Sequence, residues 1–258
     1  MICYRCYLDK DDAGFAEIPG AGRYCAECCE DVARLSPDYP LWRLLPRKDL
    51  IDLVKGENLT ILDCGCDTGY TMQALERLGH TVTGLDIHDN RIVSKHSRFW
   101  MKDLKGFLPF SVPGDIRPDV IVLGDVAEHL DHPGQVIEVL RGWLKREGRL
   151  ILSAPNIGWI GAVLKIANQD FDRTDDGTFD RDHRQFFTMK SLIQLVESAG
   201  FHVEQSIYKQ FDGTPPFPGK DGETHKFQYG NLTIEADRSL YDALNAYQLI
   251  LVAKPANE

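Results

Sequence analysis

The sequence lacks the features that mark secreted, membrane-spanning or fibrous chains. Its opening residues, MICYRCYLDKDD, have neither the basic start nor the apolar run of a signal peptide. No apolar stretch reaches the roughly 18 residues that span a membrane, and no internal repeat or low-complexity tract is found. We therefore expect a soluble, cytoplasmic protein without membrane insertion. In that reducing compartment the seven cysteines are better suited to be metal ligands or free thiols than disulfides.

Basic residues are also in short supply. The 29 Lys and Arg residues against 39 Asp and Glu residues give a formal net charge of -10, and no segment gathers the basic residues into a stripe. Nucleic-acid binding normally needs such a stripe, because most of its affinity comes from neutralising phosphates. The 258 residues, 43% of them hydrophobic, suffice for one α/β domain of about 200 residues and a small appendage. We therefore expect a small-molecule substrate and not a nucleic acid.

Four cysteines form two close pairs, Cys3-x2-Cys6 and Cys25-x2-Cys28. Each pair can place two thiolates on one side of a tight knuckle, and two knuckles complete the tetrahedral four-sulfur shell that structural zinc prefers. We therefore predict that all four cysteines bind one structural zinc ion, since a closed shell leaves no position for water. Unliganded thiols or a redox pair are the alternatives. Cys29 is expected to be a spectator.

The composition changes after the cysteines. From Ser36 the text SPDYPLWRLLPRKDLIDLVK contains three prolines, which break it into a linker and a short amphipathic helix. We predict three parts: a zinc-binding module at residues 1–35, a linker and helix at residues 36–58, and an α/β domain at residues 59–258.

From Leu59 onward short apolar runs alternate with helical periodicity, which is typical of a doubly wound parallel sheet. The predicted strands are Leu59–Cys64, Thr81–Asp86, Arg98–Lys102, Asp119–Leu123, Gly148–Ala154, Phe201–Tyr208 and Tyr247–Ala253. The predicted helices include Thr71–Leu78, Gly134–Lys145 and Thr188–Ala199. The fold class is therefore α/β, with a seven-stranded and mostly parallel sheet. The long segment Gln210–Asp242 is either a lid or a disordered surface excursion.

The stretch ILDCGCDTGY follows the pattern of a strand that opens into a glycine turn and a helix. In open α/β sheets the ligand lies beyond the carboxyl ends of the strands, where Asp63, Gly65 and Gly69 stand. The second strand ends in Asp86, whose carboxylate can accept hydrogen bonds from ribose hydroxyls. The loop and the acid together indicate a ligand that contains adenosine.

The acidity of this loop favours one adenosine ligand over another. A dinucleotide places its pyrophosphate at the helix N-terminus, where negative side chains oppose it. Asp63 and Asp67 make the region acidic. A ligand with an ammonium and a sulfonium suits that charge better, so electrostatics favours S-adenosylmethionine over a nicotinamide cofactor.

Four segments carry a family resemblance: ILDCGCDTG, VTGLDI, DVIVLGDVAEHLDHP and GRLILSAPN. In this order and spacing they resemble the motifs of class I S-adenosylmethionine-dependent methyltransferases, which have a Rossmann-like fold. The resemblance is closest to the branch of the ubiquinone-pathway O-methyltransferases and spans about Leu59 to Pro255. It is specific for cofactor and fold, but it does not specify the substrate.

The resemblance implies roles for the matching positions. Asp63 and Gly65 would lie against the methionine part of the cofactor, and Gly69 would open the helix. Asp86 would hold the ribose, and Asp103, in WMKDL, would meet the adenine amino group. The alternative for Asp103 is a solvated turn.

Two further positions concern the reaction itself. The resemblance places Asp125, at the end of the fourth strand, at the methyl-transfer region. Most relatives have glycine at the position of Asp67, because the backbone there passes close to the cofactor. The Asp67 carboxylate either pairs with the cofactor's ammonium or lowers the affinity for the cofactor.

Methyl transfer to a hydroxyl requires a general base, and histidine has a suitable pKa. His129, in EHLDHP, follows the fourth strand and is our first choice. His183, in DRDHRQFFT, resembles the H-x-R-x-F-T segment that borders the substrate pocket in this branch. We assign His183 a substrate-side or structural role.

Three functions remain in competition. The first is methylation of a small molecule, most simply at oxygen. The second is methylation of ribosomal RNA, since some of those enzymes also place a four-ligand zinc module before a class I domain, although the net charge of -10 counts against it. The third is a non-catalytic cofactor-binding protein whose zinc module docks a protein partner.

Overall fold

The computed structural model describes residues 16–18, 22–104 and 116–256. Cys3 and Cys6 of the predicted zinc site lie outside these ranges. The strands are β1 (Ala16–Ile18), β2 (Gly22–Tyr24), β3 (Thr60–Cys64), β4 (Thr81–Asp86), β5 (Arg98–Met101), β6 (Val120–Gly124), β7 (Arg149–Pro155), β8 (Phe201–Gln210), β9 (His225–Tyr229), β10 (Leu232–Ala236) and β11 (Ala246–Pro255). The α-helices are α1 (Ala26–Leu35), α2 (Lys48–Ile51), α3 (Tyr70–Arg77), α4 (Pro133–Trp143), α5 (Ile160–Ala167), α6 (Met189–Ser198) and α7 (Arg238–Asn245). Two 3-10 helices, Leu41–Leu44 and Ala127–His129, complete the elements.

Seven strands form one sheet in the order β5-β4-β3-β6-β7-β11-β8. Strands β3 and β4, β4 and β5, and β3 and β6 pair in parallel, whereas β8 and β11 pair antiparallel. The predicted α/β class with a seven-stranded, mostly parallel sheet is therefore confirmed. Each of the seven predicted strands overlaps one strand of this sheet.

The central strands are mostly apolar because helices cover both faces of such a sheet. Ile61 and Leu62 of β3 and Ile121 and Leu123 of β6 are fully buried. Helix α6 begins where the sequence predicts, with the Thr188 side chain accepting a hydrogen bond from the Ser191 backbone in a capping box. The buried strands and the capped helix set the positions at which the connecting loops begin.

The chain forms two compact units. The first comprises Met1–Gly124 and Gly142–Ile151, and the second comprises Asp125–Arg141 and Leu152–Glu258. In the first unit, the parallel register places Asp63 of β3 beside Gly84 of β4. A Cβ on Gly84 would lie 2.8 Å from both Cys66 Sγ and Met72 Sδ, so only glycine lets the loop and α3 lie this close to β4.

In the second unit, the segment between β8 and β11 contains the antiparallel hairpin of β9 and β10 followed by α7. Phe217, Phe227 and Tyr241 pack together there, and Tyr241 donates a hydrogen bond from its hydroxyl to the Pro215 carbonyl at 2.8 Å. Residues 212–223, which are rich in proline and glycine, contain neither helix nor strand. In the portion of the chain described, no helix has the length and apolar character needed to traverse a bilayer.

Candidate functional site

The glycine loop of the first unit leads from the end of β3 into α3. Gly65 and Gly69 both have positive φ, 78° and 87°, a backbone conformation that favours glycine. A Cβ on Gly69 would also lie 2.7 Å from the Val93 carbonyl oxygen. Glycine is therefore required at position 69 both by the backbone conformation and by the close packing of the loop against the Val93 carbonyl.

Asp63 lies one residue before the end of β3 and is only 4% exposed. No described residue donates a hydrogen bond to its Oδ2 atom. Burial raises the pKa of Asp63 to about 7, with a further rise from the charge of Asp86 and a partial decrease from Arg47. A buried acid that titrates near neutrality, with one oxygen left over, suits a cationic ligand.

Asp86 is the last residue of β4, and its carboxylate connects the glycine loop to the end of β4. Its Oδ2 accepts a hydrogen bond from the backbone N–H of Asp67 at 2.9 Å, and its Oδ1 accepts one from the N–H of Ile87 at 2.7 Å. Because each carboxylate oxygen has two lone pairs, both oxygens can still accept a hydroxyl proton. Asp86 therefore shapes the glycine loop and keeps the capacity to bind a diol.

Asp67 has a positive φ of 40°, which is costly for a residue other than glycine. Its carboxylate forms a two-point ion pair with the Arg43 guanidinium: Nε to Oδ2 at 2.8 Å, and Nη2 to Oδ1. The Asp67 charge is thus neutralised within the protein. The sequence analysis did not identify Arg43, because it lies in the linker and no spacing rule connects it to the loop.

The remaining first-unit position is Asp103, which follows β5 and is exposed. The two cysteines of the loop are buried, and burial raises the pKa values of the Cys64 and Cys66 thiols. Both thiols therefore stay protonated and behave as small apolar side chains.

In the second unit, Asp125 follows directly after β6 and also has a positive φ, 55°. Its Oδ1 accepts hydrogen bonds from Ser153 Oγ at 2.8 Å and from Gln248 Nε2 at 2.7 Å. Backbone strain of this kind persists only where surrounding contacts hold it, and it is common at functional sites. Ser153 and Gln248 are two of the contacts that hold this carboxylate.

The structure brings together the two histidines that the sequence analysis treated as competitors. The rings of His129 and His183 lie 4.7 Å apart between centroids, in an edge-to-face arrangement. His129 Nδ1 lies 3.2 Å from the Asp182 carbonyl oxygen, and His183 Nδ1 lies 3.1 Å from the Thr178 carbonyl oxygen. Since a carbonyl oxygen accepts, each Nδ1 carries the proton in the neutral ring, and each Nε2 is the acceptor.

Glu128 completes this cluster, and its side chain is buried at 1% exposure. Ligand atoms of Glu128, His129 and His183 all lie within 4.8 Å of one another. Two imidazoles and a carboxylate at this spacing can hold a divalent cation, and the same carboxylate can stabilise a protonated imidazole.

Three aromatic side chains meet at the ends of β7, β8 and β11 in the second unit. Phe211 stacks on Tyr247 with centroids 4.2 Å apart and an interplanar angle of 19°, and Trp159 meets Phe211 edge-on at 5.8 Å. Phe211 is 52% exposed. Asn156 is structural here, since its amide donates to the carbonyls of Ala243 and Ala246.

A mostly parallel sheet with a glycine loop after β3 and an acid at the end of β4 is the arrangement that class I S-adenosylmethionine-dependent methyltransferases have. A family model described as a methyltransferase domain matches residues 22–206. The chain belongs to this methyltransferase-domain family, and the class predicted from the sequence is confirmed.

Curated relatives are similar over part of the chain. The mitochondrial ubiquinone biosynthesis O-methyltransferase of Dictyostelium discoideum is 29% identical over 163 residues, which cover 55% of this chain and 49% of the relative. The ubiquinone biosynthesis O-methyltransferase of Coxiella burnetii is 26% identical over 161 residues, covering 58% and 65%. The chain thus spans about half the length of the first relative and just under two thirds of the second.

Solved structures share the fold at low sequence identity. A chain from the complex between the Haloferax volcanii Trm112 methyltransferase activator and a methyltransferase matches with a TM-score of 0.55 and 15% identity, over 90% of this chain and 97% of that chain. The Archaeoglobus fulgidus S-adenosylmethionine-dependent methyltransferase matches with a TM-score of 0.52 and 15% identity, over 88% and 94%.

Proposed function

We propose that this methyltransferase transfers the methyl group of S-adenosylmethionine to a hydroxyl oxygen of a small, planar acceptor, with His129 as the general base. The observation that carries the proposal is the His129 ring, held through Nδ1 by the Asp182 carbonyl so that Nε2 accepts a proton. The curated relatives, which are named as O-methyltransferases, support transfer to oxygen.

The residues of the glycine loop fit the cofactor. The spare Oδ2 of Asp63 suits an ammonium, the backbone at Gly65 carries no side chain that would obstruct a ligand, and Asp86 can accept ribose hydroxyls. We assign Asp103 to binding the adenine amino group. Asp67 is assigned to the shape of the loop, since its carboxylate already pairs with Arg43.

When bound, S-adenosylmethionine supplies an electrophilic methyl carbon, whose bond to sulfur breaks as the acceptor oxygen bonds to it. His129 Nε2 removes the hydroxyl proton, and the nearby Glu128 carboxylate stabilises the resulting imidazolium. His183 supports the His129 ring by edge-to-face contact. We assign Asp125, held by Ser153 and Gln248, to orienting the acceptor.

A planar acceptor is favoured by the aromatic group of Trp159, Phe211 and Tyr247, because the exposed Phe211 ring can stack on a flat molecule. The proposal is tested with a set of small phenols and matched compounds whose hydroxyl is already methylated. S-adenosylhomocysteine should form with the phenols alone. Turnover of amines but not phenols would overturn the assignment to oxygen.

Cofactor affinity should depend on pH through Asp63. Its pKa of about 7 means that the carboxyl is mostly protonated at pH 6 and mostly ionised at pH 8. Because only the ionised form attracts an ammonium, S-adenosylmethionine should bind about tenfold more weakly at pH 6 than at pH 8. Calorimetry on wild type and Asp63→Asn measures this, and the variant's profile serves as the baseline. Identical pH profiles for the two proteins would remove Asp63 from the ammonium site.

We further propose that the first 35 residues form a zinc module. Cys25 and Cys28 are both buried at the start of α1 and belong to one cluster with Tyr24, which places two of the four predicted ligands together. The module is also our proposed docking point for a protein partner. The Haloferax volcanii structure, solved in complex with a methyltransferase activator, gives one precedent for such a partner on this fold.

Cys25→Ser should release the metal and lower stability, because metal binding in such modules contributes folding free energy of roughly 10 to 16 kcal/mol. Cys29→Ser is the matched control, since Cys29 is adjacent in the sequence to Cys28 but is outside the predicted ligand set. Metal analysis of the purified proteins should find one zinc per chain in wild type and control. A wild type without zinc would refute the module.

A further inference from the structure

The linker before β3 is fastened to the glycine loop by three contacts. The Arg43 guanidinium pairs with the Asp67 carboxylate, and the Thr68 hydroxyl donates a hydrogen bond to the Arg43 carbonyl. One turn further, the Arg47 backbone N–H donates to Thr71 Oγ1 at 3.1 Å. The segment from Leu41 to Arg47 is therefore tied to both the loop and the first turn of α3.

The ion pair between Arg43 and Asp67 compensates for two costs at Asp67. The first is the positive φ of 40°, which a glycine would adopt without strain. The second is the proximity of like charge, because the Asp67 N–H donates to the Asp86 carboxylate, which brings a second acidic residue to the same loop. Because the Arg43 guanidinium donates to both oxygens of the Asp67 carboxylate, it neutralises the Asp67 charge and also fixes the orientation of the Asp67 side chain. A lysine ammonium would supply the charge without this two-point geometry.

The pair also reaches the proposed ribose acid. The Asp67 N–H that donates to Asp86 Oδ2 belongs to the residue whose side chain Arg43 holds. Fixing the Asp67 side chain therefore fixes the backbone that orients Asp86. The side chains of Arg43 and Asp67 are 28% and 32% exposed, so solvent screens the pair only in part.

We propose that Arg43 is a positioning residue for S-adenosylmethionine: it holds the loop, through Asp67, in the conformation that presents Asp86 to the cofactor. The inference rests on the proposed assignment of Asp86 and the loop to the cofactor. The family resemblance implies a glycine at position 67. With aspartate there instead, the ion pair with Arg43 holds the conformation that glycine would adopt unaided, so Arg43 and Asp67 act together. It follows that the cofactor needs Arg43 only while residue 67 is an aspartate.

A double-mutant cycle tests this dependence. Arg43→Ala should raise the Kd for S-adenosylmethionine about tenfold, and Arg43→Lys should restore only part of the affinity. In the Asp67→Gly background, the same Arg43→Ala change should alter the Kd less than about twofold, because glycine adopts the positive φ unaided. Saturating cofactor should restore kcat in Arg43→Ala, so that the effect is on KM for the cofactor.

Arg34→Ala is the matched control. Arg34 is an exposed arginine of α1 that pairs with Asp31, and its substitution removes the same charge as Arg43→Ala. A Kd unchanged by Arg43→Ala, or a tenfold loss that persists in the Asp67→Gly background, would overturn the proposal. Wild type that fails to bind S-adenosylmethionine at all would instead contradict the cofactor assignment, so the two failures are distinguishable. Melting temperatures of all variants separate lost affinity from lost folding.

Discussion

Replacing Asp86 with alanine should weaken S-adenosylmethionine binding about 5- to 150-fold. The carboxylate accepts the N–H groups of Asp67 and Ile87, so its removal leaves those donors without their acceptor and removes the proposed ribose contact. Losing such a charged hydrogen-bonding partner costs about 1 to 3 kcal/mol, which corresponds to that range. Calorimetry with S-adenosylmethionine measures the effect directly.

Asp52→Ala is the control for Asp86→Ala. Asp52 is exposed and pairs with Lys48 on the surface, so its removal changes the net charge equally without touching the loop. The control should bind the cofactor as wild type does. If Asp86→Ala also bound it with unchanged affinity, the assignment of Asp86 to the ribose would be wrong.

Replacing His129 with alanine should lower kcat about 10²- to 10⁴-fold, the usual contribution of a general base. The Kd for S-adenosylmethionine should stay close to that of wild type, because the proposed cofactor contacts involve other residues. Steady-state kinetics with a phenol acceptor and calorimetry with the cofactor provide the two readouts.

His132→Ala is the matched control, because His132 is an exposed histidine close to His129 in the sequence. It should turn over as wild type does. Wild-type kcat in His129→Ala would remove this residue as the base. Activity that depends on an added divalent cation, with loss in both His129→Ala and His183→Ala, would instead assign the Glu128 cluster to metal binding.

The sheet could be predicted from the sequence because its strands are buried on both faces. Strand β4 was predicted at its observed bounds, and β3 and β6 were predicted within one residue at each end. Continuous runs such as those of β3 and β6 stand out from their polar and glycine-rich surroundings. Helix α6 was likewise predicted within one residue at each end.

The hairpin of β9 and β10 was not predicted, although its signal is present. Phe227 and Tyr229, then Leu232 and Ile234, alternate with exposed polar residues around Gly230, whose φ of 56° forms the turn. The prolines and glycines that precede β9 indicate irregular structure, and they obscure this alternation within the segment Gln210–Asp242. The strands are half-exposed, so their apolar signal is weaker than that of β3.

The sequence predicts where the backbone of the candidate site lies, but it does not predict which side chains pair with one another there. The glycine loop and Asp86 follow from position on the sheet. The ion pair between Arg43 and Asp67, and the contact of His129 with His183, join residues from separate elements. No local pattern encodes such contacts, since they depend on how the linker and the loop around Asp182 fold back. Asp67, which the sequence analysis expected either to pair with the cofactor's ammonium or to lower the affinity for the cofactor, forms an ion pair with Arg43.

The most direct test of small-molecule methylation uses S-adenosylmethionine with a tritiated methyl group, incubated with the purified full chain. Separate pools of small metabolites, RNA and protein serve as acceptors. The label should enter the small-molecule pool with wild-type protein and should fall sharply with His129→Ala. Label in RNA or protein, or no transfer despite measurable cofactor binding, would contradict the account.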